Sequence, residues 1–139
     1  MKILLLEDDP MVALFAEEAL EEAGHIVLGP ATSYNEAIKL AEIDIPDLGL
    51  LDINIVGQET GIDVSRDLHA RHVPCVFVSG NYLDDNEKKH AVGSLAKPYT
   101  LDALIEVVEF VRCQIAGNEL PALPRGLVLF PNLEQKLHA

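Results

Sequence analysis

The stretch "LGLLDIN", residues 48–54, carries an apolar run that stops on a carboxylate, Asp52. A short apolar run without polar alternation fits a strand covered on both faces, the situation of strands in parallel sheets. The terminal aspartate admits two readings. It marks where a strand leaves the core, as Asp, Asn and Gly commonly do, or its oxygen is held at the rim of a sheet for chemistry. The ends of the other strands decide between the two.

Outward from this run, strand-like and helix-like patterns alternate. "KILLLE" (2–7) reads as a first strand. Asp9 then offers an N-cap, Pro10 suits the first helical turn, and Val12, Phe15, Ala16, Ala19 and Ala23 recur at helical spacing up to Gly24. "HIVLGPA" (25–31) is a second strand. Ser33 and Glu36 form a capping box for a helix carrying Ala37, Ile38, Leu40 and Ala41. Beyond Asp52 come a loop, a helix from about Ile62 to Arg71, and the strand "VPCVFVSG" (73–80). "NYLDDNEKKH" (81–90) reads as a poor amphipathic helix and "GSLAKP" (93–98) as a short fifth strand. Thr100 caps a last helix with Leu101, Leu104, Ile105, Val108 and Ile115 on one stripe. Five strand–helix repeats predict an α/β fold, a parallel sheet with helices on both faces.

The bulk properties narrow the function. The chain has 139 residues, 49% of them hydrophobic, which fits one domain with a packed core. A formal net charge of −13 argues against direct contact with nucleic acid or an anionic membrane. Cys75 and Cys113 lack metal-ligand spacing and read as buried thiols in a reducing compartment. No apolar run has the length of a membrane span, so a cytoplasmic location is expected.

In an open parallel sheet, the ends of adjacent strands share one crevice. Here they deliver Glu7-Asp8-Asp9, Asp52, Ser79-Gly80 and Lys97-Pro98. Each group alone has a plain explanation in helix capping or turn chemistry. Four of them at strand ends, in compatible order, outweigh it. Clustered carboxylates favour a hard divalent cation, and Mg²⁺ suits Asp8, Asp52 and a loop carbonyl such as that of Asn54. Beside a cation, Asp52 is placed to attack phosphorus, with Lys97 offsetting charge on the phosphoryl oxygens and Ser79 donating a hydrogen bond.

This constellation resembles the receiver domain of two-component response regulators over roughly residues 2–116. The resemblance implies a flavodoxin-like fold with a five-stranded parallel sheet in the order 2-1-3-4-5. It implies Asp52 as phospho-acceptor, Ser79 as switch hydroxyl and Lys97 as the family's lysine. For Mg²⁺ it implies Asp8 directly, Glu7 more through water, Asp52, and the backbone carbonyl of Asn54. The partners implied are a sensor histidine kinase or phosphotransfer protein and an unknown downstream protein, with self-phosphorylation and autodephosphorylation as the only chemistry.

The sequence departs from the pattern in places. Ser94 stands where the family usually has Tyr or Phe, and the stretch from Ser79 to Lys97 is short, which makes segment 81–90 the expected moving part. Gly57 and Gly61 flank a lengthened loop. The fourth-strand end resembles a subfamily of mostly single-domain receivers with a Phe-Ala-Thr-Gly-Tyr-like run.

Residues 1–116 are thus expected to form the receiver and 117–139 an extension without a domain of its own. Its apolar "GLVLF" (126–130) is expected to add to an edge strand or to lie against the last helix, in cis or across a homodimer. Two other readings stay open. One is an aspartate-nucleophile phosphohydrolase of the haloacid-dehalogenase type, although that class wants a second acid where Asn54 stands. The other is a pseudo-receiver that binds a partner without phosphorylation.

Overall fold

In the computed structural model, which describes residues 1–80, 82–131 and 137, the expected alternation is present up to the fourth strand. The elements are β1 (Lys2–Leu6), α1 (Pro10–Glu22), β2 (Ile26–Ala31), α2 (Tyr34–Ile43), β3 (Leu48–Asp52), α3 (Gly61–Ala70), β4 (Cys75–Ser79), β5 (Gly93–Ala96), α4 (Leu101–Ala116) and β6 (Leu127–Leu129). The sheet order is β2-β1-β3-β4-β5-β6. The first five strands are parallel, as expected, and β6 adds antiparallel to β5. Strand addition at the β5 edge is therefore the placement that residues 127–129 adopt.

Helix starts follow from local chemistry. The Asp9 side chain accepts from the N–H groups of Met11 and Val12, and Thr100 accepts from that of Ala103. The capping box expected at Ser33 is half-formed. Ser33 accepts from the Glu36 N–H, but the Glu36 carboxylate accepts from the Thr32 hydroxyl instead of reaching back. A complete box caps α3, where Thr60 accepts from the Ile62 N–H and Asp63 accepts from the Thr60 N–H at 2.8 Å.

Alternation along the strands splits the core in two. Ile3, Leu5, Leu50, Val76 and Leu95 face α1 and α4, while Leu4, Leu6, Leu51 and Phe77 face α2 and α3. Two buried stripes differ from their expected positions. In α1 the buried line is Ala13, Ala16 and Leu20, leaving Phe15 47% exposed. In α4 it is Leu104, Val107, Val108 and Val111, leaving Leu101 40% exposed. Both helices carry apolar arcs wider than one contact face, so the packing neighbours chose the line.

The fourth helix is a correction. Residues 85–90 form turns between β4 and β5 and no helix; Asn81, where the expected helix began, lies outside the described residues. The segment lacks an apolar stripe: Leu83 and Ala91 are buried, but Tyr82 is exposed and charges fill the space between. The space beneath it is filled by Phe130, just past β6, which joins Phe77, Leu83 and Ala91 in one cluster. Cys75 and Cys113 are both buried free thiols, and burial pushes the Cys75 thiol well above its ordinary pKa.

Candidate functional site

Parallel pairing in register brings the polar strand ends together. Leu6 pairs with Leu51, Asp52 with Val78, and Ser79 with Ala96, so Glu7, Asp52, Ser79 and Lys97 emerge at one end of the sheet. One oxygen each from Glu7, Asp8 and Asp52 lies within 4.8 Å of the other two. Glu7 and Asp52 are buried, at 4% and 7% exposure, whereas Asp8 is open to solvent.

Two buried carboxylates side by side need a compensating charge. Lys97 supplies it, with its ammonium 3.0 Å from Glu7 and 3.2 Å from Asp52. Burial works to lower the Lys97 pKa, but its hydrogen bond to Glu7 and the charges of Asp52 and Glu7 outweigh that and hold it above the ordinary value. The second Glu7 oxygen accepts from the Asp9 N–H at 3.0 Å, which fixes the carboxylate across the start of α1. Ser79 is buried at the end of β4, and its carbonyl accepts from the Lys97 N–H at 3.3 Å.

Glu7, Asp8, Asp52, Ser79 and Lys97 thus converge as the sequence led one to expect. Asn54 lies exposed on the loop leaving β3. The donor set fits a hard cation. It offers three carboxylate oxygens, and its open side at Asp8 leaves room for the waters Mg²⁺ retains.

Two residues near the site escaped the sequence reading. A Cβ on Gly61 would collide with the carbonyl oxygen of Asp52, and the Gly61 N–H donates to the Ile53 carbonyl at 2.9 Å. Glycine is therefore what lets α3 start directly behind the aspartate; its only sequence signal was its place at the end of the long loop. Tyr99 is partly buried against the α1–α4 core, and burial first, then the Glu7 charge, raises its pKa. It lines an apolar groove of about 470 Å³ with Val12, Phe15, Lys97, Pro98 and Leu101 beside the acidic cluster.

Comparison with known proteins agrees with this geometry. The chain is 28% identical over 113 residues to the transcriptional regulatory protein PdtaR of Mycobacterium tuberculosis, covering 78% of this chain and 55% of that protein. It is 34% identical over 103 residues to the phyllosphere-induced regulator PhyR of Methylorubrum extorquens, covering 70% of this chain and 38% of PhyR. The chain therefore spans about half or less of these curated relatives. Among solved structures, the response regulator TrrA of Thermotoga maritima, crystallised with Mg²⁺-BeF, superposes with a TM-score of 0.70 at 25% identity, covering 78% of this chain and 96% of that one. A two-component response regulator from Clostridium difficile reaches a TM-score of 0.75 at 22% identity, covering 83% and 98%, a likeness of fold. The pattern of the response regulator receiver domain matches residues 3–109, and the chain belongs to that family.

Proposed function

We propose that Asp52 is the phosphoacceptor of a two-component signalling protein, receiving a phosphoryl group from the phosphohistidine of a sensor kinase or phosphotransfer protein. The observation that carries this reading is the pairing of a buried Asp52 with Lys97 and Glu7 next to an open, carboxylate-lined cation site. An Asp52 oxygen forms the new P–O bond as the donor's N–P bond breaks, and the imidazole keeps the electron pair and takes up a proton.

The residues of the chain share the work. Lys97 draws charge from the phosphoryl oxygens, and Ser79 donates a hydrogen bond to one of them after transfer. Asp8, Asp52 and the Asn54 carbonyl would hold Mg²⁺, and Glu7 would act on it more through water. The bound cation supplies charge neutralisation on the phosphoryl oxygens. The donor approaches from the Asp8 side, where the apolar groove by Phe15 and Tyr99 offers contact area.

Residues 1–116 act as the receiver and 117–139 as its extension. The protein signals in the cytoplasm by conformational change and protein contact, without substrate turnover. The net charge of −13 disfavours direct output through nucleic acid.

Intact-mass measurement after acetyl phosphate and Mg²⁺ tests the reading. Wild type should gain one phosphoryl group and Asp52→Asn none, while Asp8→Ala should need more Mg²⁺. Labelling of Asp52→Asn at the wild-type level would overturn the assignment. Steady turnover of small phosphate esters would favour a phosphohydrolase, and absence of any mass gain would favour a binding module.

A further inference from the structure

We propose that residues 126–130 are a built-in ligand of the β5 edge, which phosphoryl transfer to Asp52 releases, opening a strand-addition site for an extended apolar segment of a partner protein. The proposal rests on the phosphoacceptor reading above.

The β5 edge is shaped for this occupant. A Cβ on Gly93 would lie 2.6 Å from the Val128 carbonyl oxygen, so the absence of a side chain there is what lets the tail backbone in. Gly126 takes a φ of 86°, a conformation open to glycine, and its carbonyl accepts from the Ala96 N–H at 3.1 Å. At the other end the Phe130 N–H donates to the Val92 carbonyl at 3.0 Å. Leu127 and Phe130 are each 5% exposed, whereas Val128 between them is 60% exposed. The edge thus reads backbone plus two apolar anchors, the last aromatic, which is the chemistry of β-strand addition.

One end of this grip adjoins a strand end that carries the site, and the ring at the other end packs on the middle of β4. Ala96, held by Gly126, adjoins Lys97, whose N–H donates to Ser79 and whose ammonium binds Asp52 and Glu7. The Phe130 ring centroid lies 6.4 Å from that of Phe77, two residues before Ser79. Lys88 places its ammonium 5.6 Å above the Phe130 ring and 5.7 Å above that of Tyr82. The wall of the Phe130 pocket is therefore the helix-free segment that follows Ser79.

When Ser79 and Lys97 turn to phosphoryl oxygens, the backbone grip at Ala96 and the pocket wall at Leu83 move together. A strand of three residues on an exposed connector then detaches as a unit. By linkage, loss of the docked tail also alters the phosphorylated state.

The test uses the full chain. Hydrogen exchange across residues 127–130 and intact mass are followed together after acetyl phosphate and Mg²⁺. Exchange there should quicken by roughly tenfold on phosphorylation, the scale of ordinary coupling between two sites, and Asp52→Asn should show no change. A labelled peptide of residues 125–131 should bind phosphorylated wild type and the Phe130→Ala chain roughly tenfold more tightly than resting wild type. A full mass gain with unchanged exchange overturns the release while leaving the phosphoacceptor reading intact. Equal peptide affinity for all three forms overturns the docking site. A chain that takes no phosphoryl group overturns the reading beneath both.

Discussion

The half of the sheet built on β1, β2 and β3 and the half built on β4 and β5 solve the same packing problem differently. In the first, capped helices α1 and α2 follow β1 and β2, α3 follows β3, and these strands carry the three carboxylates. In the second, β4 is followed by turns, and a strand and a ring from the far end of the chain cover the gap. Cover made of local strand–helix units is present wherever the domain is folded. Cover borrowed from a distant segment is tied to the domain through a largely exposed connector, so it can come away at lower cost than a strand of the sheet interior. The three carboxylates thus sit on the half with local cover, and Ser79 and Lys97 on the half covered by a distant segment.

The largest expected effect tests that contrast with two rings in contact. Phe77→Ala removes a fully buried ring from β4 and should cost about 3–5 kcal/mol in urea unfolding. Phe130→Ala, at a site nearly as buried, should cost markedly less, since the tail can undock and cap the loss. Equal losses would show that the tail is as integral to the fold as β4. Next comes Gly61→Ala, whose added methyl meets the Asp52 carbonyl. It should cost about 1–3 kcal/mol by overpacking and slow phosphorylation, read by denaturation and by the rate of mass gain. Unchanged values for both would remove Gly61 from the support of the aspartate.

Smaller effects probe the regular half. Thr60→Ala breaks the α3 capping box and should cost about 1 kcal/mol, seen as a shift of the unfolding midpoint without a change of slope. The α2–α3 clasp gives the pH dependence. Tyr34 donates to Asp67 at 2.9 Å and Arg71 binds the other oxygen at 2.9 Å. Burial alone would raise the Asp67 pKa, but the bonds from Arg71 and Tyr34 hold it below the ordinary 3.8. A carboxylate depressed by folding adds stability above its unfolded pKa and loses it as pH falls through the folded one. The contribution should therefore be present at neutral pH and fade below 3.8. Tyr34→Phe should cost about 1 kcal/mol or less at pH 7, and less still in acid. A loss that grows on acidification would contradict the clasp.

What the sequence by itself determined is what depends on near neighbours along the chain. The apolar runs set the strands, Asp9 and Thr100 set helix starts, and alternation set a parallel sheet whose ends must share a crevice. Since strand ends carry Glu7, Asp52, Ser79 and Lys97, their convergence was legible in the sequence. What only the tertiary structure decided are contacts between distant residues. The buried lines of α1 and α4 were ambiguous because wide apolar arcs fit several neighbours. The segment 82–90 has no helix because its few apolar side chains could not anchor one, and Phe130 fills the space from some forty residues away. Gly61 and Gly93 matter for the backbone that passes where a side chain would be. A missing atom carries no pattern in a sequence, and only the folded chain shows what occupies its place.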